Sequence, residues 1–348
     1  TATTEIYTLS LHDALPISAT TIYTATITTP VGCVVSDDVK VTLSTWAKFP
    51  VGSGMEDNIG VEMYDGVYAA GNIRKAGLQL EPGIYIDNTY NCYVVKYDFC
   101  GEVLWWKGIQ ADVTSDVILT NIAMGHNEVL IAGNYNGYVN FGNNKTLTTS
   151  VARAFIASYN LFGDCQWAID LTGNVDIKDI STYKNGDITS TYNYVLGEYS
   201  SATAGCGSFS VSNTGGSNNT KDVFLLKIYG GYTVDILGMT NIDGCTNAPD
   251  YGYSLDASTY HLYIGVRVGN VDKIQVWNPS NLSYISSSWV NAKVSDIAMG
   301  LVGGNEKIYW TGTTDAGEMR YGAKIGASFP YAIWDPIPPI DITGNGEA

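Results

Sequence analysis

Five aspartates recur along the chain at a spacing of roughly sixty residues, and they form the series best suited to do chemistry. The series consists of Asp57, Asp116, Asp179, Asp250 and Asp296. Carboxylates at one position of a repeated unit would line a common channel, where they could act as general acids and bases or hold a cation. Alternatively, each could accept backbone N–H bonds at the turn that leads into a strand, as Asp commonly does. We favour this second interpretation.

The other reactive side chains show no catalytic spacing. His126 falls in a turn between two predicted strands and His261 lies beside a Tyr-rich strand, and neither has a Ser, Cys or Glu at the spacing of a catalytic pair. The adjacent acids Glu56 and Asp57 stay open as an alternative, because the acids of a glycosidase come from distant strands. We therefore predict no catalytic residue, no cofactor and no enzymatic activity.

The end of the sequence carries part of a calcium-loop pattern. Asp341, Thr343, Asn345 and Gly346 have the spacing of the first ligands of such a loop, but the sequence stops before the bidentate Glu that would complete it. We interpret residues 341–348 as a polar tail and predict no metal-binding residue.

Six cysteines have no metal-site or redox spacing. They are Cys33, Cys92, Cys100, Cys165, Cys206 and Cys245. Without a Cys-x-x-Cys pair or a nearby His, disulfides or inert buried thiols remain, and we favour disulfides. Cys92 and Cys100 flank one extended run, which holds them too far apart to pair with each other.

Composition narrows the class of protein. Only 15% of the 348 residues are charged, the formal net charge is −16, and Gly, Asn, Thr, Ser and 25 Tyr stand in place of charge. The acidity argues against nucleic acid, which needs clustered Lys and Arg. No stretch approaches eighteen uninterrupted apolar residues, so we predict no transmembrane helix. Such a surface is typical of extracellular or cell-surface proteins.

The elements that would position these residues come from an internal repeat. The run Val67–Asn72 returns as Val129–Asn134 and more loosely around Gly197, Gly265 and Gly312. A second run, Tyr93–Gly101, returns as Phe155–Gly163. A Trp that we expect to fill the core follows the second run in four repeats: Trp105, Trp167, Trp289 and Trp334. Four short strands per repeat are typical of the blade of a β-propeller.

The repeat predicts an all-β protein with a propeller of about five four-stranded blades over residues 45–340. The blades lie near residues 57–110, 116–172, 179–240, 250–290 and 296–337. One further strand near residues 45–48 is spare, and an unpaired strand is a template for addition to another edge. We expect helices to be nearly absent.

Three resemblances extend this interpretation. The phrases Ala-Gly-Asn, Phe-x-Ala-x-Tyr and Gly-x-x-x-Trp resemble the bacterial β-propeller repeat family of secreted and surface proteins, which implies export. Residues 19–44, with Tyr23, Cys33 and Val39 in strand–turn–strand order, resemble the last hairpin of an immunoglobulin-like surface module. Residues 4–18 resemble translated sequencing adapter, which implies that residues 1–18 are not native, that His12 has no role and that the sequence is a metagenomic fragment.

These observations favour a non-catalytic extracellular protein with a structural or adhesive role. It would self-associate through residues 20–50 or through Tyr-rich surfaces, and could form a filament or appendage by exchanging a strand or hairpin. The first alternative is a carbohydrate-binding propeller that uses stacking aromatic side chains. The second is a polysaccharide hydrolase or lyase with channel carboxylates.

Overall fold

The protein is all-β, as the sequence predicts. The structure is a computed structural model that describes residues 21–28, 34–41, 51–52, 55–74, 77–125, 127–184, 191–213, 220–231, 233–242, 248–302 and 305–325. No helix occurs in these ranges. The same ranges therefore contain no apolar helix long enough to cross a membrane.

Several sequence predictions concern residues outside the described ranges. These are the adapter-like segment 4–18 with His12, the turn around Cys33, the spare strand near 45–48, His126, Cys245, Trp334, the last part of the fifth blade and the C-terminal calcium-loop pattern.

The first element is an antiparallel hairpin of β1 (Thr21–Thr28) and β2 (Val34–Val41). Its alternating Thr and Ile residues favour extended backbone. Among the described residues, the hairpin pairs with no other strand.

Residues 51–111 form a four-stranded antiparallel meander with a small sheet. The strands are β3 (Val51–Gly52), β4 (Met55–Met63), β5 (Val67–Arg74), β6 (Leu78–Glu81), β7 (Ile84–Ile86), β8 (Cys92–Tyr97) and β9 (Val103–Ala111). The meander, called unit I, has the order β4-β5-β8-β9. The small sheet has the order β3-β6-β7, with β6 in the middle.

Unit II repeats this meander and is joined to unit I. Its strands are β10 (Asp116–Met124), β11 (Glu128–Asn140), β12 (Thr146–Asn160) and β13 (Cys165–Leu171). The end of β11 also pairs with β9, where Val139 faces Ala111.

Units III to V continue the series. Unit III holds β14 (Val175–Lys184), β15 (Thr191–Tyr199), β18 (Asp222–Gly230) and β19 (Asp235–Ile242), with the small hairpin β16 (Thr203–Cys206) and β17 (Phe209–Ser212) between them in the chain. Unit IV holds β20 (Tyr251–Ala257), β21 (Leu262–Val268), β22 (Val271–Trp277) and β23 (Tyr284–Trp289). Unit V holds β24 (Lys293–Val302), β25 (Asn305–Thr313) and β26 (Met319–Ile325).

The units stack in chain order. Their first strands lie side by side, with β10 between β4 and β14, and β20 between β14 and β24. The apolar core lies between successive units. One cluster joins units I and II around Phe155, and the next joins units II and III around Phe224. A cluster around Leu262 joins units III and IV, and one around Ile297 joins units IV and V. Among the described strands, β24 does not pack beside β4 as the other neighbouring first strands pack beside one another. A closed propeller ring and its blade count stay predictions.

Each first strand carries a one-residue β-bulge at a corresponding place. The bulged residues are Ile59, Thr120, Lys178, Tyr253 and Ser295. A bulge adds twist and redirects the side chains that follow it. It therefore provides a structural register by which positions in different units can be compared.

The recurrent glycines of the repeat lie opposite this bulge. Gly133 faces Leu119, Gly197 faces Ile177 and Gly312 faces Val294. A Cβ on Gly133 or Gly312 would overlap the backbone carbonyl of Ile118 or Lys293, respectively. Close backbone approach thus accounts for these glycines.

Candidate functional site

When the units are aligned on their bulges, the five recurrent aspartates do not occupy equivalent positions. The interpretation that they form a ring of five carboxylates at one position is therefore wrong. The residues just after the bulge are Gly60, Asn121, Asp179, Ser254 and Asp296. Asp57 precedes its bulge, Asp116 opens β10, and Asp250 lies before β20. The distance from the start of a first strand to its bulge differs between units, and sequence spacing alone does not reveal this.

Asp179 and Asp250 accept backbone N–H bonds, but neither does so at the turn that leads into its own first strand, as the favoured interpretation required. The buried Asp250 accepts a bond from the amide of Gly269 at 2.8 Å, in the turn between β21 and β22. Asp179 accepts bonds from the amides of Ile180 at 2.8 Å and Leu255 at 2.7 Å. Asp179, however, ties one unit to the next and does not cap a turn.

The contact made by Asp179 is repeated along the first strands of units III to V. Ser254 stands at the equivalent position and accepts from the amide of Ile297 at 3.0 Å. Ser181, which lies two residues after Asp179, accepts from the amide of Ala257 at 3.0 Å. These bonds join the first strands of neighbouring units, which have no ladder hydrogen bonds between them. We call them the inter-unit bonds.

Three carboxylates lie along these first strands. Asp256 accepts from the amide of Met299 at 2.6 Å, and Ser254 donates to Asp296 at 3.4 Å. Burial raises the pKa of Asp179 to about 6, against backbone hydrogen bonds that lower it, and the charge of Asp296 raises it further. Burial likewise raises the pKa of Asp256. Asp179 can therefore take up a proton at mildly acidic pH.

We expect protonation of Asp179 to stabilise the fold at low pH. Because its folded pKa is raised, its stabilising contribution is complete below pH ~4 and is lost as the pH rises through about 6, an effect of up to ~2–3 kcal/mol. Urea unfolding gives the free energy of unfolding at each pH between these values. Its slope against pH should be clearly smaller in Asp179→Asn than in wild type. The exposed Asp112→Asn serves as the control, and identical slopes in all three proteins would contradict the expectation.

His261 belongs to a second polar cluster, between units IV and V. Its Nδ1 lies 2.7 Å from Oε2 of Glu306, to which the Tyr263 hydroxyl also donates at 2.7 Å. Burial would raise the pKa of Glu306, but hydrogen bonds from Ser258, Tyr263 and His261 hold it below its usual value. The Ser258 hydroxyl bonds to the backbone N and O of His261 rather than to its ring. This cluster binds two units together, and its Glu306 lies too far along the chain to be found from sequence.

Glu128 is another buried acid that the sequence did not point to. It is 3% exposed and begins β11 of unit II. The Ser158 hydroxyl donates to its Oε2 at 2.7 Å, and the side-chain amide of Asn193, in unit III, donates to its Oε1 at 3.0 Å. Burial raises the pKa of Glu128, although both hydrogen bonds oppose the shift.

The described cysteines are free thiols, so the disulfide interpretation is wrong for them. Cys92, Cys165 and Cys206 are buried and Cys100 is exposed. Burial raises the pKa of each buried thiol to about 12, which makes it unreactive. The prediction that Cys92 and Cys100 do not pair is confirmed. Within the described ranges, no group of three or more His, Cys, Asp or Glu side chains is placed to hold a metal ion.

The repeated tryptophans do not share one environment. Trp167 is 5% exposed and packs in the core, as predicted, and Trp105 is half-buried, with its Nε1 donating to the Leu161 carbonyl at 2.8 Å. Trp289 is 74% exposed, so its predicted place in the core is wrong. The apolar positions of unit IV are filled instead by Trp277, which is 4% exposed.

Trp289 borders a surface hollow of about 340 Å³. Its wall also contains Arg267, Asn270, Asp272, Asn291 and Asp315. This hollow, called the Trp289 hollow, joins an exposed aromatic ring to fixed polar groups, which suits it to bind a small polar molecule that has one apolar face.

The comparisons with known proteins add no assignment. The chain matches none of the protein-family models against which it was compared, and the search of curated proteins found no similar sequence.

Proposed function

We propose that this chain is a non-catalytic extracellular surface protein with a structural or adhesive role, which self-associates through its N-terminal hairpin. The observation that carries the proposal is the hairpin β1–β2, which pairs with no other strand among the described residues. A lone two-stranded hairpin is marginally stable in water, and both of its edges offer unpaired backbone groups. A neighbouring molecule that supplies a third strand would stabilise it.

We further propose that units I to V are blades of a β-propeller. The side-by-side first strands and the apolar clusters between successive units support this arrangement. The low content of charged side chains and the abundance of Tyr, Asn and Thr support an extracellular location.

The roles of the acidic side chains support a non-catalytic assignment. Asp179 and Asp256 accept backbone N–H bonds from the next unit, and Glu306 holds His261 and Tyr263. These groups hold the units together, whereas a glycosidase requires a pair of acids that face the substrate.

A hairpin variant tests the self-association. We expect the full chain to form concentration-dependent oligomers or filaments in sedimentation velocity and negative-stain electron microscopy. Ala25→Pro, in the middle of β1, removes one N–H group and should abolish assembly, because it either breaks the hairpin or blocks its free edge. The matched control Ala25→Ser keeps the N–H and should assemble. A wild-type chain that stays monomeric at every concentration would refute the proposal.

A further inference from the structure

The Trp289 hollow lies where unit IV meets unit V. Trp289 ends β23 and Arg267 lies near the end of β21, while Asp315 follows β25 of unit V. The hollow of about 340 Å³ is at the small end of the range of small-molecule sites, ~300–1,000 Å³. It therefore fits a ligand of roughly one ring.

The polar wall of the hollow is held in place before any ligand binds. Nη2 of Arg267 lies 3.0 Å from Oδ2 of Asp272, whose Oδ1 accepts from the Tyr253 hydroxyl at 3.3 Å. Asp315 lies 3.3 Å from Arg267 and 3.2 Å from Lys293. A network of this kind loses little conformational entropy on binding, which favours affinity.

The charges at the hollow balance. Arg267 and Lys293 offset Asp272 and Asp315, and the neighbouring Asn270 and Asn291 add neutral donors and acceptors. A phosphate or sulfate would meet two carboxylates at this site, and a cation would meet two positive groups. An uncharged ligand with several hydroxyl groups avoids both conflicts and can use all of these groups.

The exposed ring of Trp289 supplies the remaining contact. A pyranose has an apolar C–H face, which packs against an aromatic ring, while its hydroxyls bond to planar side chains at the edge. We propose that the Trp289 hollow is a binding site for neutral saccharides, with one sugar ring stacked on Trp289 and its hydroxyls bonded to Asn270, Asn291 and the Arg267–Asp272 pair.

Calorimetric titration of the full chain with cellohexaose, xylohexaose, mannohexaose and chitohexaose tests the site. We expect at least one of these probes to bind, and Trp289→Ala to weaken that binding by about tenfold or more, because the stacking contact is lost. The double variant Asn270→Ala/Asn291→Ala should weaken it by about three- to tenfold. Phe162→Ala is the matched control, since Phe162 is 79% exposed and lies in unit II, away from the hollow.

Two outcomes would overturn the proposal: none of the four probes binds, or Trp289→Ala binds as tightly as Phe162→Ala. The far-ultraviolet circular dichroism of each variant should match that of wild type, which separates loss of the site from loss of the fold. The site does not depend on self-association, so its test is independent of the hairpin variant.

Discussion

Replacing Gly133 by Ala is expected to lower the free energy of unfolding by about 3 kcal/mol. Gly133 lies in β11 opposite Leu119, beside the bulge of the first strand, and a Cβ there would overlap the Ile118 carbonyl. That carbonyl is backbone between two packed units, so it cannot turn aside as a flexible side chain would. Relief of the overlap requires the first strand of unit II to move.

Gly300→Ala is the matched control for this substitution. Gly300 lies within the first strand of unit V, β24, and a Cβ there would be 3.7 Å from the Tyr309 ring, an ordinary van der Waals distance. We expect it to change the free energy of unfolding by less than ~0.5 kcal/mol. Gly312→Ala should resemble Gly133→Ala, because its Cβ would overlap the Lys293 carbonyl. Urea unfolding followed by circular dichroism measures all three, and equal effects of Gly133→Ala and Gly300→Ala would contradict the bulge argument.

The contrast between the glycines and the aspartates shows how much the sequence could predict. Gly133 and Gly312 recur because each meets backbone beside a bulge, so a local steric requirement produces a visible sequence pattern. The alternating, β-branched runs between them identified the strands for a similar local reason. The all-β class could therefore be predicted.

The polar clusters between units could not be found in this way. Glu128 meets Asn193 across 65 residues, and His261 meets Glu306 across 45. Contacts at such separations depend on how one unit packs against the next, and no local pattern encodes them. Trp289 illustrates the same limit: it follows the repeat, yet Trp277 fills the core of unit IV and leaves Trp289 at the surface.

Removal of the Glu128 side chain should have the second large effect. Gly125 and Gly230 pack against the Glu128 side chain, and neither has a side chain that could fill the space it would leave. Glu128→Ala creates a cavity and leaves the Ser158 hydroxyl and the Asn193 amide without their shared partner. We expect the free energy of unfolding to fall by about 2–4 kcal/mol. The exposed Glu102→Ala, in the same measurement, should have little effect.

Glu128→Gln separates the loss of hydrogen bonds from the loss of charge. The Gln carbonyl can still accept from Asn193, and its amide can donate to Ser158, because a hydroxyl both donates and accepts. Burial raises the pKa of Glu128, so the wild-type stability from this group is complete at low pH and is lost as the pH rises through the folded pKa. Glu128→Gln should therefore stay close to wild type at acidic pH and gain on it towards neutral pH, as measured by urea unfolding across that range. If Gln were as damaging as Ala at every pH, the carboxylate charge itself would stabilise the contact between units II and III, and burial would not be the dominant influence on this carboxyl.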